Sequence, residues 1–217
     1  MATLKGAFIN LGAGLLGALP NIIVFQFNPV KVARTPTMVQ PPKLNDGAGK
    51  RDAGKQFAQP SETMNFTLRI DATDQLAKGN PLAISSGILP TLSALEMLMI
   101  PKSPLSLDLI SLGGGPKTHK HPPESLDTTL FFWGPFRLFP VTITSLSITE
   151  TEYSPLLVPI RAEVAVNLQV LTPNQLGDKS LAIGAYKYSL GVKQVMAALN
   201  LANAVEFGVS ATVSLPF

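Results

Sequence analysis

Two stretches of this chain alternate apolar and polar residues with a period of two, and this limits its possible folds more than any other feature. In Glu62–Ala72, "ETMNFTLRIDA", Met64, Phe66, Leu68 and Ile70 fall on one side and Asn65, Thr67 and Arg69 on the other. In Ile160–Leu171, "IRAEVAVNLQVL", Ile160, Ala162, Val164, Val166, Leu168 and Val170 share a side. Successive side chains of a strand point to opposite faces, so each stretch is a half-buried strand. "FRLFPVTITSLSITETEYS" (Phe136–Ser154) is a third, longer strand. Its apolar phase slips between Ile143 and Leu146, which predicts a bulge. The short link "PLLVP" to the next strand predicts an antiparallel hairpin.

Shorter elements surround this frame. "NIIVFQF" (Asn21–Phe27) is rich in β-branched and aromatic residues and reads as a strand ended by Asn28-Pro29. A short strand follows around Val30–Arg34. Leu105–Leu112 and "TTLFFWGP" (Thr128–Pro135) are further strands. In Gly87–Met99, Ile88, Leu92, Leu95 and Met99 recur at helical spacing, Pro90 suits a first turn, and Pro101 stops the helix. From Lys179 to Glu206, Leu181, Tyr188, Val192, Val195, Met196, Leu199 and Ala202 form one broad apolar stripe. Gly184 and Gly191 weaken that helix, predicting two short helices or a kink. The tail alternates Val205, Phe207, Val209, Ala211, Val213 and Leu215, the pattern of a last strand.

Charge explains what this frame needs. Of 217 residues, 46% are apolar and only 14% charged, well under the usual quarter. A partner is expected to cover part of such a surface. A net charge of +3 is too small to argue for nucleic acid, no basic run is interleaved with aromatics, and no nucleic-acid partner is expected. There is no Cys, so disulfides and thiolate metal sites are excluded. The run "MATLKGAFINLGAGLLGALPN" has one Lys and no A-x-A site, and is too short and too interrupted to span a bilayer. It reads as an apolar, Gly-rich N-terminal arm over residues 1–20, lying on a neighbour. The Gly- and Pro-rich stretch Pro41–Pro60 is either a surface loop or one that orders on a neighbouring subunit.

No catalytic, cofactor or metal constellation emerges. His119 and His121 alternate in "HKH" but supply only two ligands, and a solvated loop is the expected state. Asp71 and Asp74 end a strand, and Asp74 suits a helix cap better than a carboxylate pair. Glu150 and Glu152 are expected on one exposed strand face, as a solvated edge or an intersubunit salt bridge. No G-x-S-x-G occurs, and "GAGKRDAGK" lacks P-loop spacing, with no Ser or Thr after Lys50. Trp133, among bulky strand residues, is expected to pack on the core.

Three blocks, in order, carry a resemblance: "VFQFNP"; "MNFTLRIDA" with "GILPTLSALEMLM"; and "LFFWGPFRLFPVTITSLSITETEYSPLLVPIRAEVAVNLQVLTP". Together, over about Ile22 to Pro173, they resemble the tube and tube-to-baseplate adaptor proteins of phage-tail-like contractile injection systems. Relatives often carry a C-terminal LysM module, which this chain lacks: no Y-x-V-x-x-G-D-T-L pattern follows Thr172. The resemblance implies a mainly β (α+β) fold, a tail-tube-like β-barrel or sandwich over residues 21–173. One helix would be inserted between strands, and a helical and strand extension would occupy 174–217. It implies a non-enzymatic, hexameric homo-oligomeric ring whose strands pair across subunits. The partners would be the inner tube protein and spike/hub or cap proteins, at the baseplate side or the cap side. There would be no cofactor, no nucleic acid and no membrane insertion. Assembly would be cytoplasmic, within a particle that is afterwards released or membrane-anchored. The alternative from another class is a secreted or periplasmic β-sandwich binding protein. A hydrolase would require the carboxylates or histidines to converge on a pocket.

Overall fold

The computed structural model describes residues 4–12, 21–38, 60–100 and 127–206, with side chains as far as residue 200. Its strands are β1 (Ala7–Asn10), β2 (Asn21–Val24), β3 (Val32–Thr37), β4 (Ser61–Asp71), β5 (Thr129–Phe132), β6 (Leu138–Tyr153) and β7 (Pro159–Val170). They form one sheet in the order β2-β1-β5-β6-β7-β4-β3, antiparallel at every pairing. The fold is therefore mainly β, with helices added, as the alternating stretches require.

The two diagnostic stretches lie side by side. Glu62 to Asp71 of β4 pair with Val170 to Arg161 of β7. Met64, Phe66, Leu68 and Ile70 are buried alongside Ala162, Val164, Val166, Leu168 and Val170. The hairpin from β6 to β7 forms, with register irregularities between Ile143 and Ser145 and again around Glu152. The first is the phase slip seen in the sequence. The turn between these strands holds Leu157 at φ 59, a left-handed conformation costly for a residue with a Cβ.

The sheet is rolled. β1 and β4 are four strand steps apart in the sheet order, about 19 Å if flat. Yet the rings of Phe8 on β1 and Phe66 on β4 lie 6.3 Å apart. Phe25, Phe131 and Trp133 complete the cluster, Trp133 stacking on Phe131 at 5.9 Å. Such aromatic pairs add about 0.5–1.5 kcal/mol each beyond burial, and here they join both ends of the sheet.

Several elements differ from expectation. The segment expected as an arm on a neighbour places Ala7–Asn10 inside the chain's own sheet, between β2 and β5. Phe8 is fully buried there, and its burial draws the segment in. The single inserted helix is three short ones: α1 (Thr73–Ala77), α2 (Pro81–Ser86) and α3 (Leu89–Glu96). Asn80 caps α2 by accepting from Leu82 and Ala83 N–H, and prolines sit in the first turns of α2 and α3. Gly87 separates α2 from α3 at φ 53, where an added Cβ would strike the Pro159 carbonyl. Ile88, Leu92 and Leu95 then plug the core as the helical spacing predicts.

β2 stops at Val24, before the aromatic run ends. β3 runs through Pro36, which a terminal strand tolerates because its outer N–H side needs no partner. After β7 come α4 (Pro173–Leu176) and a single helix α5 (Ser180–Glu206). Gly184 and Gly191 neither break α5 nor split it; each costs only about 1 kcal/mol relative to alanine, which the rest of the helix outweighs. The readings of Pro41–Pro60, Leu105–Leu112, His119, His121 and the strand-like tail concern segments that lie, wholly or almost so, outside the described residues.

Candidate assembly surfaces

"VFQFN" turns out to be a joint. Phe25 is buried in the aromatic cluster. The Gln26 side chain donates from Nε2 to the Asp71 carbonyl at 2.6 Å, and its Oε1 accepts from Asp71 N–H at 2.8 Å. One side-chain amide thus copies a strand pairing between the β2 and β4 ends of the rolled sheet. Behind it lies a cleft of about 160 Å³ lined by β2, β4 and α3. Phe27 is outward, with Lys5 Nζ 5.9 Å from its ring centroid. Asn28 accepts from Gly6 N–H at 2.9 Å and donates to the Leu4 carbonyl at 2.8 Å.

Of the ionisable residues singled out in the sequence, Asp71 and Glu152 are tied up in ion pairs with Arg161. Asp71, not Asp74, serves the start of α1: its carboxylate accepts from Thr73 N–H at 2.8 Å and bonds Arg161 Nε at 2.8 Å. Asp74 sits in the first turn and makes no cap bond; the cap position belongs to Ala72 because the chain turns two residues earlier. Burial pushes Asp71 upward, but Thr73 and Arg161 outweigh it and hold its carboxyl below the usual range.

Glu150 and Glu152 do not share a solvent face, because a register irregularity lies between them. Glu152 pairs with Arg161 of its own chain at 2.5 Å. Glu150 is half-buried and helps line a second cleft, with Leu89, Leu92, Ser93, Glu96, Ile148 and Tyr153. The Tyr153 hydroxyl bonds Glu150, which raises the tyrosine's pKa. Among the described residues, no three His, Cys, Asp or Glu side chains gather to hold a metal.

The ionic group that sequence reading missed is centred on Glu62, a buried carboxylate on the apolar face of β4. It bonds Arg34 of β3 (Nε, 2.6 Å) and Lys193 of α5 (2.8 Å). Both cations also lie over the Phe139 ring, at 5.6 and 5.3 Å. Desolvation raises the Glu62 pKa, yet Lys193 and Arg34 together hold it below the ordinary carboxylate value. Its position in register with Met64 was the available signal: a charge in phase with a buried face needs a partner.

This group fastens α5, helped by Ser189. Ser189 Oγ accepts from Leu138 N–H at 3.1 Å and donates to the Leu138 carbonyl at 2.5 Å. The Tyr188 hydroxyl donates to the Pro135 carbonyl at 2.7 Å. The face that packs is mostly small: Ala182, Ala185 and Ser189 are buried, and Tyr186 packs partly buried against the core. The stripe legible in the sequence lies elsewhere. Leu181, Tyr188, Val195, Met196 and Leu199 are exposed, and so is every residue from 194 to 200. The second half of α5 therefore has no cover among the described residues.

Unpaired backbone accompanies this apolar surface. β5 pairs only with Leu138 to Val141 of β6. Among the described residues no strand lies on that side of β6 from Thr142 to Tyr153. β2 and β3 are terminal strands. Exposed apolar side chains sit near these edges: Ile22 and Val24 on β2, Val30 before β3 (102% exposed), and Leu156 and Leu157 in the hairpin turn (84% and 79%). Set against protein-family models and against curated proteins, the chain matches none. Among the described residues no helix is long and apolar enough to cross a membrane.

Proposed function

We propose that this chain is a structural, non-enzymatic ring subunit of a contractile injection system or tail-like particle. It joins the inner tube to the baseplate hub or to the cap. The observation that carries this reading is the β6 edge, Thr142 to Tyr153, which no strand covers among the described residues, on a rolled sheet ending in β2 and β3. Open edges are a hazard in a monomer and an asset in a ring, where neighbours cover them. The low charge and the uncovered apolar half of α5 agree with that use. The ordered sequence blocks supply the choice of machine. The alternative, a secreted or periplasmic β-sandwich binding protein, has less support: the two clefts, of about 160 and 310 Å³, lie below or at the floor for ligand sites.

The test is assembly. Mass photometry and electron microscopy of the purified chain, alone and with a tube protein encoded beside it, should show closed rings, six-fold in the proposed reading, stacking on tube ends. A chain that stays monomeric at every concentration and never joins a tube would refute the proposal.

A further inference from the structure

We infer that the cleft between α3 and β6 is a socket for the Val30–Lys31 corner of a second copy of this chain, an inference resting on the ring-subunit reading above. The socket, about 310 Å³, has an apolar floor of Leu89, Leu92 and Ile148 and two carboxylates, Glu96 and Glu150, from different elements. Neither carboxylate has an ion pair among the described residues. The socket opens beside the stretch of β6 whose side away from β7 is uncovered among the described residues. An apolar hollow edged by two carboxylates suits an apolar side chain with a cation next to it.

The same molecule offers that shape elsewhere. Among the described residues Val30 is the most exposed large apolar side chain, at 102%, and Lys31 beside it is also exposed. Phe27 and Lys5 extend the same chemistry, a second apolar side chain with a second cation. The corner is held on both sides. Asn28 is bonded to Gly6 and Leu4, and β3 begins at Val32. A corner already fixed loses little freedom on docking. Because Val30 is fully exposed, its own chain's socket does not hold it, so the contact is between copies. Corner and socket are different surfaces, so the contact is head-to-tail, the kind that closes into a ring when the rotation suits.

The absence of cysteine gives a clean test. Val30→Cys combined with Ser93→Cys, on the socket wall, should yield under mild oxidation a ladder of reducible oligomers ending at the ring size. Lys31→Glu alone and Glu150→Lys alone should each abolish the ring peak in mass photometry, and the two together should restore it. Circular dichroism confirms that each variant is folded. Rings that form while the cysteine pair stays uncrosslinked and the charge reversals are silent would overturn the socket and leave the ring reading intact. Failure of the unaltered chain to form rings at all would remove both.

Discussion

Replacing Gln26 with Ala removes a side-chain amide that hydrogen-bonds the β2 end of the sheet to β4. Two hydrogen bonds are lost, to the N–H and the carbonyl of Asp71. Each is worth about 1 kcal/mol net, and the site is only part-buried, so water can reach the freed groups. The expected loss is about 2 kcal/mol, with no added penalty for a stranded polar group. For a chain of this size that is a fall in Tm of about 4–8 °C. Urea unfolding should show a lower midpoint at unchanged slope, and hydrogen exchange should show faster exchange of the Asp71 amide. Gln26→Glu is more severe at neutral pH. Its carboxylate can still accept from Asp71 N–H but sets a charged oxygen against the Asp71 carbonyl, and acidification should relieve part of the loss. A Gln26→Ala variant within about 0.5 kcal/mol of wild type, with Asp71 still protected, would mean that the aromatic cluster alone closes the sheet.

Three further outcomes follow from particular contacts. Glu62 has its pKa lowered in the fold, so its contribution is complete above its unfolded value, about 4.3, and is lost as pH falls through the lower folded value; Glu62→Gln should flatten that acid limb and speed amide exchange in α5. Gly6→Ala sets a Cβ 2.7–2.8 Å from the rings of Phe25 and Trp133 and should cost about 1–3 kcal/mol by overpacking, with a shifted emission of the sole tryptophan as the local readout. Gly184→Ala and Gly191→Ala meet nothing within 4 Å and should each stabilise by up to about 1 kcal/mol, seen as a higher unfolding midpoint.

The long strands were legible because one face of each is buried and the other wet, so burial wrote a period of two into β4 and β7. The bulge in β6 was legible for the same reason, as a slip in that period. The course of α5 was not. Its large apolar residues form the conspicuous stripe, but the fully buried contact is made by Ala182, Ala185 and Ser189, with Tyr186 beside them, because small side chains let a helix lie close to a sheet. Periodicity weighs size and misses such a face. Gln26 was equally silent: its role depends on Asp71, 45 residues away, and no local pattern reports a pairing made by rolling the sheet. The N-terminal strand was misassigned because four residues, "AFIN", are too few to show a period beside a glycine-rich run.

The way α5 is fastened decides how the molecule carries load. Its bonds reach Leu138, the first residue of β6, and Glu62, at the start of β4. These two strands flank β7 and begin at the same end of the sheet, Val141 and Glu62 both standing opposite Val170. A pull on the helix along the strand direction is thus divided between two ladders, one on each side of β7. Both ladders are loaded in shear, so their hydrogen bonds resist together instead of being peeled one by one. The Gln26 seam, at the opposite end of β4, lies off that line of force. A neighbour gripping the half of α5 that is uncovered among the described residues would load the two long ladders beside β7 and leave the Gln26 seam unloaded.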